Sequence, residues 1–237
     1  MANHQLVDSN THRDLRVDAS ATATTADRVM SAIVVPEEIR RAQADFPILF
    51  HKDIENDVFT ALALFGFEQG ENLFIEDGQW TAPRPLSMDI QPFLVGRDPD
   101  GDGPGQVHID MDHPRTGAAE GVRLFNDDGV ATPFLDEIAE KLGALDAGYR
   151  GGAAYFEALD AHGLLEPFTL EVKLADGSKS NLVGFHIVNE DKLAALGGDA
   201  LGELHEAGYL LPTFMAIASL SNLQSLVDAK NRKNAVG

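Results

Sequence analysis

The chain has 237 residues, which suits one large domain or two small ones, and it carries 38 acidic against 18 basic residues for a formal net charge of −20. Such a surface repels phosphate backbones and anionic membranes, so nucleic-acid binding is a poor hypothesis, and a cation or a partner with a basic face is the natural complement. Because the chain has no cysteine, disulfides, thiolate metal sites and cysteine nucleophiles are excluded.

The N-terminal segment, residues 1–28, is polar and predicts irregular structure with one short strand at Leu15–Val17. It lacks the apolar core flanked by basic residues that marks a signal peptide. The longest apolar stretch, Tyr209–Leu220, is too short to span a bilayer and contains Pro212. We therefore expect a cytoplasmic protein with no membrane span.

In the first half of the chain, from Ala32 to Phe125, short β-branched and aromatic runs alternate with turn residues. This pattern predicts mainly antiparallel strands. Asp77-Gly78 predicts a tight hairpin between two of them. A short helix is expected after Pro36, because proline followed by two acids favours a helical first turn.

The second half predicts helices around one further hairpin. Thr132-Pro133 is typical of a helix start, and we expect that helix to break at Gly151-Gly152. Two alternating runs flank Asp176-Gly177 and predict the hairpin. A final helix is expected from Pro212 to Lys230.

Together these elements predict an α+β fold with a mainly antiparallel β N-terminal half and a helical C-terminal half that holds one β-hairpin. Residues 29–237 are expected to form a single domain.

Several sequence blocks resemble one known family. They include Phe46-Pro47-Ile48-Leu49-Phe50, Gly70-Glu71-Asn72-Leu73-Phe74, Val107-His108-Ile109-Asp110-Met111-Asp112-His113-Pro114-Arg115 and Thr132-Pro133-Phe134-Leu135. These blocks are similar to the SapC (S-layer-related) family over about residues 30–228. The Gly-Glu-Asn-Leu-Phe block is the most specific of them.

The resemblance implies a bacterial accessory or binding protein and no settled enzymatic activity. Similar proteins are often encoded near flavin-dependent tryptophan-halogenase-like proteins and TonB-dependent receptors. The resemblance therefore implies a protein partner, with a halogenase-like protein or a TonB-receptor-linked system as the candidates.

The densest group of acids lies in one loop. Asp98, Asp100 and Asp102 alternate before Gly103, as the carboxylates of calcium-binding loops do. The twelfth position of such a loop would be Ile109, which cannot supply the bidentate carboxylate. The spacing is also that of an ordinary hairpin connector, so calcium is one of two open interpretations.

A second candidate metal site follows that loop. His108 and Asp110 are two residues apart on an expected strand, so their side chains share one face. With one distant histidine they would form the facial triad of a non-haem iron oxygenase. His186, on an expected strand, and His205, on an expected helix, are the alternatives for that third ligand. A polar strand face without metal is the competing interpretation.

Four further residues are candidates for ligand or partner binding: Glu71, Asn72, Trp80 and Asn222. Trp80 belongs to an aromatic set that either packs the core or lines an apolar groove. Asparagine is a mediocre helix former, so Asn222 is expected to bond a loop carbonyl or to line a site. The sequence leaves open whether the protein is an enzyme.

Overall fold

The computed structural model describes residues 3–97 and 105–236. The strands are β1 His4–Leu6, β2 Arg16–Val17, β3 Ser31–Val34, β4 Ile48–Asp53, β5 Val58–Leu64, β6 Ile75–Glu76, β7 Gln79–Trp80, β8 Phe93–Gly96, β9 Gln106–Asp110, β10 Val122–Arg123, β11 Leu165–Lys173 and β12 Lys179–Val188. The α-helices are α1 Pro36–Ala42, α2 Leu86–Asp89, α3 Pro133–Ala161, α4 Glu190–Ala194, α5 Gly198–Glu206, α6 Leu210–Ser219 and α7 Asn222–Val236.

Two antiparallel sheets organise the fold. The larger has five strands in the order β11-β12-β4-β5-β3, and the smaller has three in the order β1-β9-β8. Short pairs β10-β2 and β6-β7 complete the β structure of the described residues. The predicted α+β class is confirmed, and so are the hairpins at Asp77-Gly78 and Asp176-Gly177. Within the N-terminal segment the structure adds β1 to the one strand that the sequence indicates.

Helix α3 connects the two sheets. Its first turns bury Leu135, Ile138 and Leu142 against the three-stranded sheet. Its last turns bury Tyr155 and Phe156 against the five-stranded sheet. Thr132 caps the helix as predicted, because its side chain accepts the N–H of Leu135. The helix therefore crosses from one core cluster to the other near its middle.

The predicted break at Gly151-Gly152 is wrong, since α3 runs through both glycines. Glycine is a poor helix former, but tertiary packing overrides that preference here. A Cβ at Gly148 would lie 2.8 Å from the Cβ of Val35, and one at Gly152 would lie 3.5 Å from the Cδ of Pro36. The glycines let α3 approach the start of α1.

This close approach predicts opposite effects for two glycines of one helix. Gly148→Ala should destabilise the protein by about 1–3 kcal/mol, because the new methyl group collides with Val35. Gly143→Ala should stabilise it by about 1 kcal/mol, because nothing lies within 4 Å of that position. Urea unfolding of both variants measures the difference, and equal shifts would contradict the packing role of Gly148.

The predicted single C-terminal helix is also wrong, because α6 ends at Ser219 and α7 begins at Asn222. The buried Ser219 hydroxyl accepts the backbone N–H of Ile48 at 2.9 Å and donates to the carbonyl of Ala216 at 2.5 Å. These contacts fix the end of α6 on the sheet.

By length and composition alone, the stretch Leu210–Ala235 is long and apolar enough to cross a membrane. Only 28% of its most apolar part is buried. Core helices of other proteins pass the same test, so the expected absence of a membrane span stays a prediction.

Candidate functional site

An open groove lies where α3 passes between the two sheets. It encloses about 510 Å³, and we name it the α3 groove. Its apolar walls come from strand β8 and from helix α3, and the edge strand β3 adds Ile33. The apolar lining residues are Ala26, Ile33, Ile90, Pro92, Phe93, Leu94, Val95, Leu142, Leu145 and Tyr149. The polar lining residues are His4, Ser87, Gln91, Asp110, His113 and Asp146.

Two exposed apolar side chains extend the α3 groove into a second cleft. Ile33 is 38% exposed and Tyr149 is 52% exposed, and both also line a cleft of about 340 Å³ between α3 and strands β3 and β5. Ile33 points away from the core because Ala32 and Val34 alternate with it and are buried. The result is a continuous apolar surface on both sides of Tyr149.

A histidine with both ring nitrogens bonded forms one polar wall of the α3 groove. His113 Nδ1 accepts the backbone N–H of Arg115 at 3.2 Å, and Nε2 therefore carries the proton and donates to Gln91 Oε1 at 3.2 Å. Burial and the neighbouring Arg115 guanidinium lower the pKa of His113. Both effects keep the ring neutral near pH 7.

The lowered pKa of His113 makes stability depend on pH. Below about pH 6.5 the unfolded state binds more protons than the folded state, so the free energy of unfolding should fall as the pH drops. His186 has a lowered pKa as well and adds to the same slope. In His113→Gln, the free energy of unfolding should fall less steeply between about pH 7 and pH 5 than in the wild type, and part of the fall should remain. Urea unfolding at several pH values measures it. An unchanged slope would contradict the role given to His113.

Comparison with known proteins decides the family. The SapC family model matches residues 7–226, nearly the whole chain. The chain belongs to the SapC family. No curated protein and no solved structure matches it significantly. Within this SapC-family fold, the matched region includes the whole five-stranded sheet, strands β8 and β9 of the three-stranded sheet, and the α3 groove apart from His4.

The SapC-family fold separates the residues of the predicted iron site. His108 and Asp110 lie on β9 of the three-stranded sheet, whereas His186 lies on β12 of the five-stranded sheet and His205 is exposed on α5. The ring of His108 lies over Gly96, whose missing Cβ would be 2.1 Å from it. Among residues 3–97 and 105–236, no three His, Asp or Glu side chains form a group that could hold a metal ion.

Iron binding therefore stays a prediction, with Asp110 as its one residue on the α3 groove. The predicted calcium ligands Asp98, Asp100 and Asp102 lie outside the described residues.

The four predicted binding residues make hydrogen bonds within the protein. Asn72 Nδ2 donates to the carbonyl of Asp27 at 2.9 Å, and Trp80 Nε1 donates to Asp27 Oδ1 at 2.9 Å. Glu71 Oε1 accepts from Lys230 at 2.7 Å, and Glu71 Oε2 accepts from the backbone of Phe67. Asn222 Nδ2 donates to a loop carbonyl at 2.8 Å, one of the two expected roles. Their role in binding a ligand stays a prediction.

The aromatic set packs mainly in the core, with Phe65, Phe67 and Phe93 buried. Only Phe93 of these also lines the α3 groove. Sequence reasoning missed Ile33 and Tyr149. Ile33 could have been predicted, because it occupies the outward-facing position of an alternating edge strand. No local sequence pattern indicates that Tyr149 lines a groove.

Proposed function

We propose that this SapC-family chain is a non-catalytic accessory protein of the cytoplasm that binds a protein partner through the α3 groove. The observation that carries the proposal is the open apolar surface around Ile33 and Tyr149, since exposed apolar patches of this kind mark interaction sites. Asp110 lies beside it, and the chain carries a net charge of −20, whereas Asp146 on the same wall is already paired with Arg97 and Arg150. The complementary partner is an apolar segment flanked by basic residues.

The family resemblance supplies the candidates for that partner, a flavin-dependent halogenase-like protein or a component of a TonB-receptor-linked system. Titration calorimetry with each purified candidate tests the proposal. Ile33→Arg should weaken binding by at least about tenfold, because it places a charge in the apolar contact. Val183→Arg is the matched control, since Val183 is 66% exposed on the distant strand β12. Equal affinities for the two variants would sink the groove assignment.

A second candidate function is a metal-dependent oxygenase of the non-haem iron type that uses His108 and Asp110. It is favoured by the place of Asp110 on the groove wall beside His113. A metal that binds only the folded state raises its stability. Added Fe(II) should then raise the melting temperature of the wild type and leave His108→Ala unchanged. A wild type that does not respond argues against this function.

A further inference from the structure

A third cleft lies between α3 and α1. It encloses about 530 Å³, and its lining includes Glu37, Glu38 and Arg41 from α1 and Ala144, Ala147 and Gly148 from α3. Small residues keep the α3 side open, and α1 contributes two carboxylates from its first turn. The cleft is distinct from the α3 groove, and none of its carboxylates belongs to the function proposed above.

Glu38 has an unsatisfied carboxylate oxygen in this cleft. Its side chain is 8% exposed. Oε1 accepts the backbone N–H of Leu86 at 2.7 Å and an N–H of Arg41 at 3.2 Å. Oε2 is buried and has no hydrogen-bond partner among the residues that the structure describes. Buried carboxylate oxygens are nearly always bonded, so this exception calls for a missing donor.

Arg41 does not supply that donor. Its side chain is 61% exposed, and the same nitrogen that contacts Glu38 Oε1 also donates to the carbonyl of Arg84 at 2.8 Å. Glu37 adds a second negative charge, because its Oε2 lies 2.9 Å from where a Cβ of Gly148 would be. Two carboxylates therefore line the cleft with one guanidinium, whose Nη2 is shared between Glu38 Oε1 and the carbonyl of Arg84.

We propose that the cleft between α1 and α3 binds a guanidinium group, carried by an arginine of a protein partner or by a small molecule. A guanidinium offers planar paired donors that match carboxylate oxygens, and it is less strongly hydrated than an ammonium ion. One of its N–H groups would satisfy Glu38 Oε2, and its charge would offset Glu37. The small side chains of Ala144 and Ala147 leave room for the flat group on the α3 side of the cleft.

A backbone-amide NMR titration of the whole chain tests this site. The probes are N-acetyl-arginine methylamide, agmatine, and N-acetyl-citrulline methylamide, which has a similar shape without the charge. Saturable shifts at Glu38 and Gly148 are expected with the first two probes and not with citrulline. Tighter binding of the peptide-like probe identifies a protein arginine as the source, and tighter binding of agmatine identifies a small molecule.

The variants define which side chain is responsible. Glu38→Gln should weaken binding of the arginine probe by at least about tenfold, because it replaces the charged acceptor with an amide. Glu157→Gln is the matched control, since it removes the same charge at an exposed position of α3 and should leave binding unchanged. Ala147→Leu blocks the cleft without touching a carboxylate and should also abolish the shifts. Equal shifts with citrulline, or wild-type affinity in both Glu38→Gln and Ala147→Leu, would overturn the proposal.

Discussion

Replacing Arg115 by methionine is expected to lower the free energy of unfolding by about 3–5 kcal/mol, because it strands a buried carboxylate. The Arg115 and Asp27 side chains are each 3% exposed, and their charged groups are 3.4 Å apart. Arg115 also donates to the carbonyls of Ser20 and Thr22 at 2.8 Å each. The substitution thus releases the N-terminal segment from the core as well as breaking the ion pair.

Asp27 cannot avoid this loss by staying neutral. Burial raises its pKa, but hydrogen bonds from the Thr24 backbone and the Trp80 indole outweigh burial and lower the pKa overall. The carboxylate therefore stays charged near pH 7, and Arg115 is the cation that it faces. Urea unfolding measures the loss, with the fluorescence of the single tryptophan as the readout.

The matched control for Arg115 is Arg123, which pairs at 2.6 Å with a carboxylate of Asp127 that is 91% exposed. Surface ion pairs contribute little, so Arg123→Met should cost no more than about 1 kcal/mol. Similar losses in the two variants would show that the buried pair has no special role.

Replacing Lys230 by methionine is expected to cost a similar amount, about 3–5 kcal/mol, because it removes the buried cation closest to the buried carboxylate of Glu71. Lys230 Nζ lies 2.7 Å from Glu71 Oε1, and both side chains are 8% exposed. Burial lowers the pKa of Lys230, but hydrogen bonds to Glu71 and Glu68 outweigh it and raise the pKa. The pair joins α7 to the loop that follows β5.

The neighbouring Lys233 provides the control for Lys230→Met. Lys233 Nζ is 3.6 Å from the same oxygen of Glu71 but is 58% exposed. Lys233→Met should cost no more than about 1 kcal/mol, and its presence should hold the Lys230→Met loss near the lower end of its range. The double variant should lose more than the sum of the two single losses, since no cation then remains near Glu71. Equal losses of stability in Lys230→Met and Lys233→Met would contradict the special role of the buried Lys230–Glu71 pair.

Sequence reasoning succeeded where structure is set by neighbouring residues. Thr132-Pro133 starts α3, and Asp176-Gly177 turns the β11–β12 hairpin, because caps and tight turns depend on a few adjacent residues. It failed where a contact between residues far apart in the sequence determines the local structure. Gly151-Gly152 remain helical because α3 packs on the start of α1, and α6 ends at a serine bonded to a strand 171 positions away.

The candidate site was harder to predict for the same reason. The α3 groove is built from His4, Gln91, Asp110 and Tyr149, which are far apart in the chain. Spacing along β9 correctly placed His108 and Asp110 on one strand face, but it could not show that His186 belongs to another sheet. Glu38 carries no sequence sign at all, because a lone unsatisfied oxygen appears only after the chain has folded.

Site-specific photo-crosslinking from position 149 tests the role of the α3 groove most directly. Tyr149 and, separately, Val183 are replaced by p-benzoylphenylalanine in cells that also express the candidate partners. The account predicts a covalent adduct from position 149 that maps to one apolar, basic-flanked segment of a halogenase-like or TonB-linked protein and disappears with Ile33→Arg. An adduct that forms from position 183 and not from position 149 would contradict it.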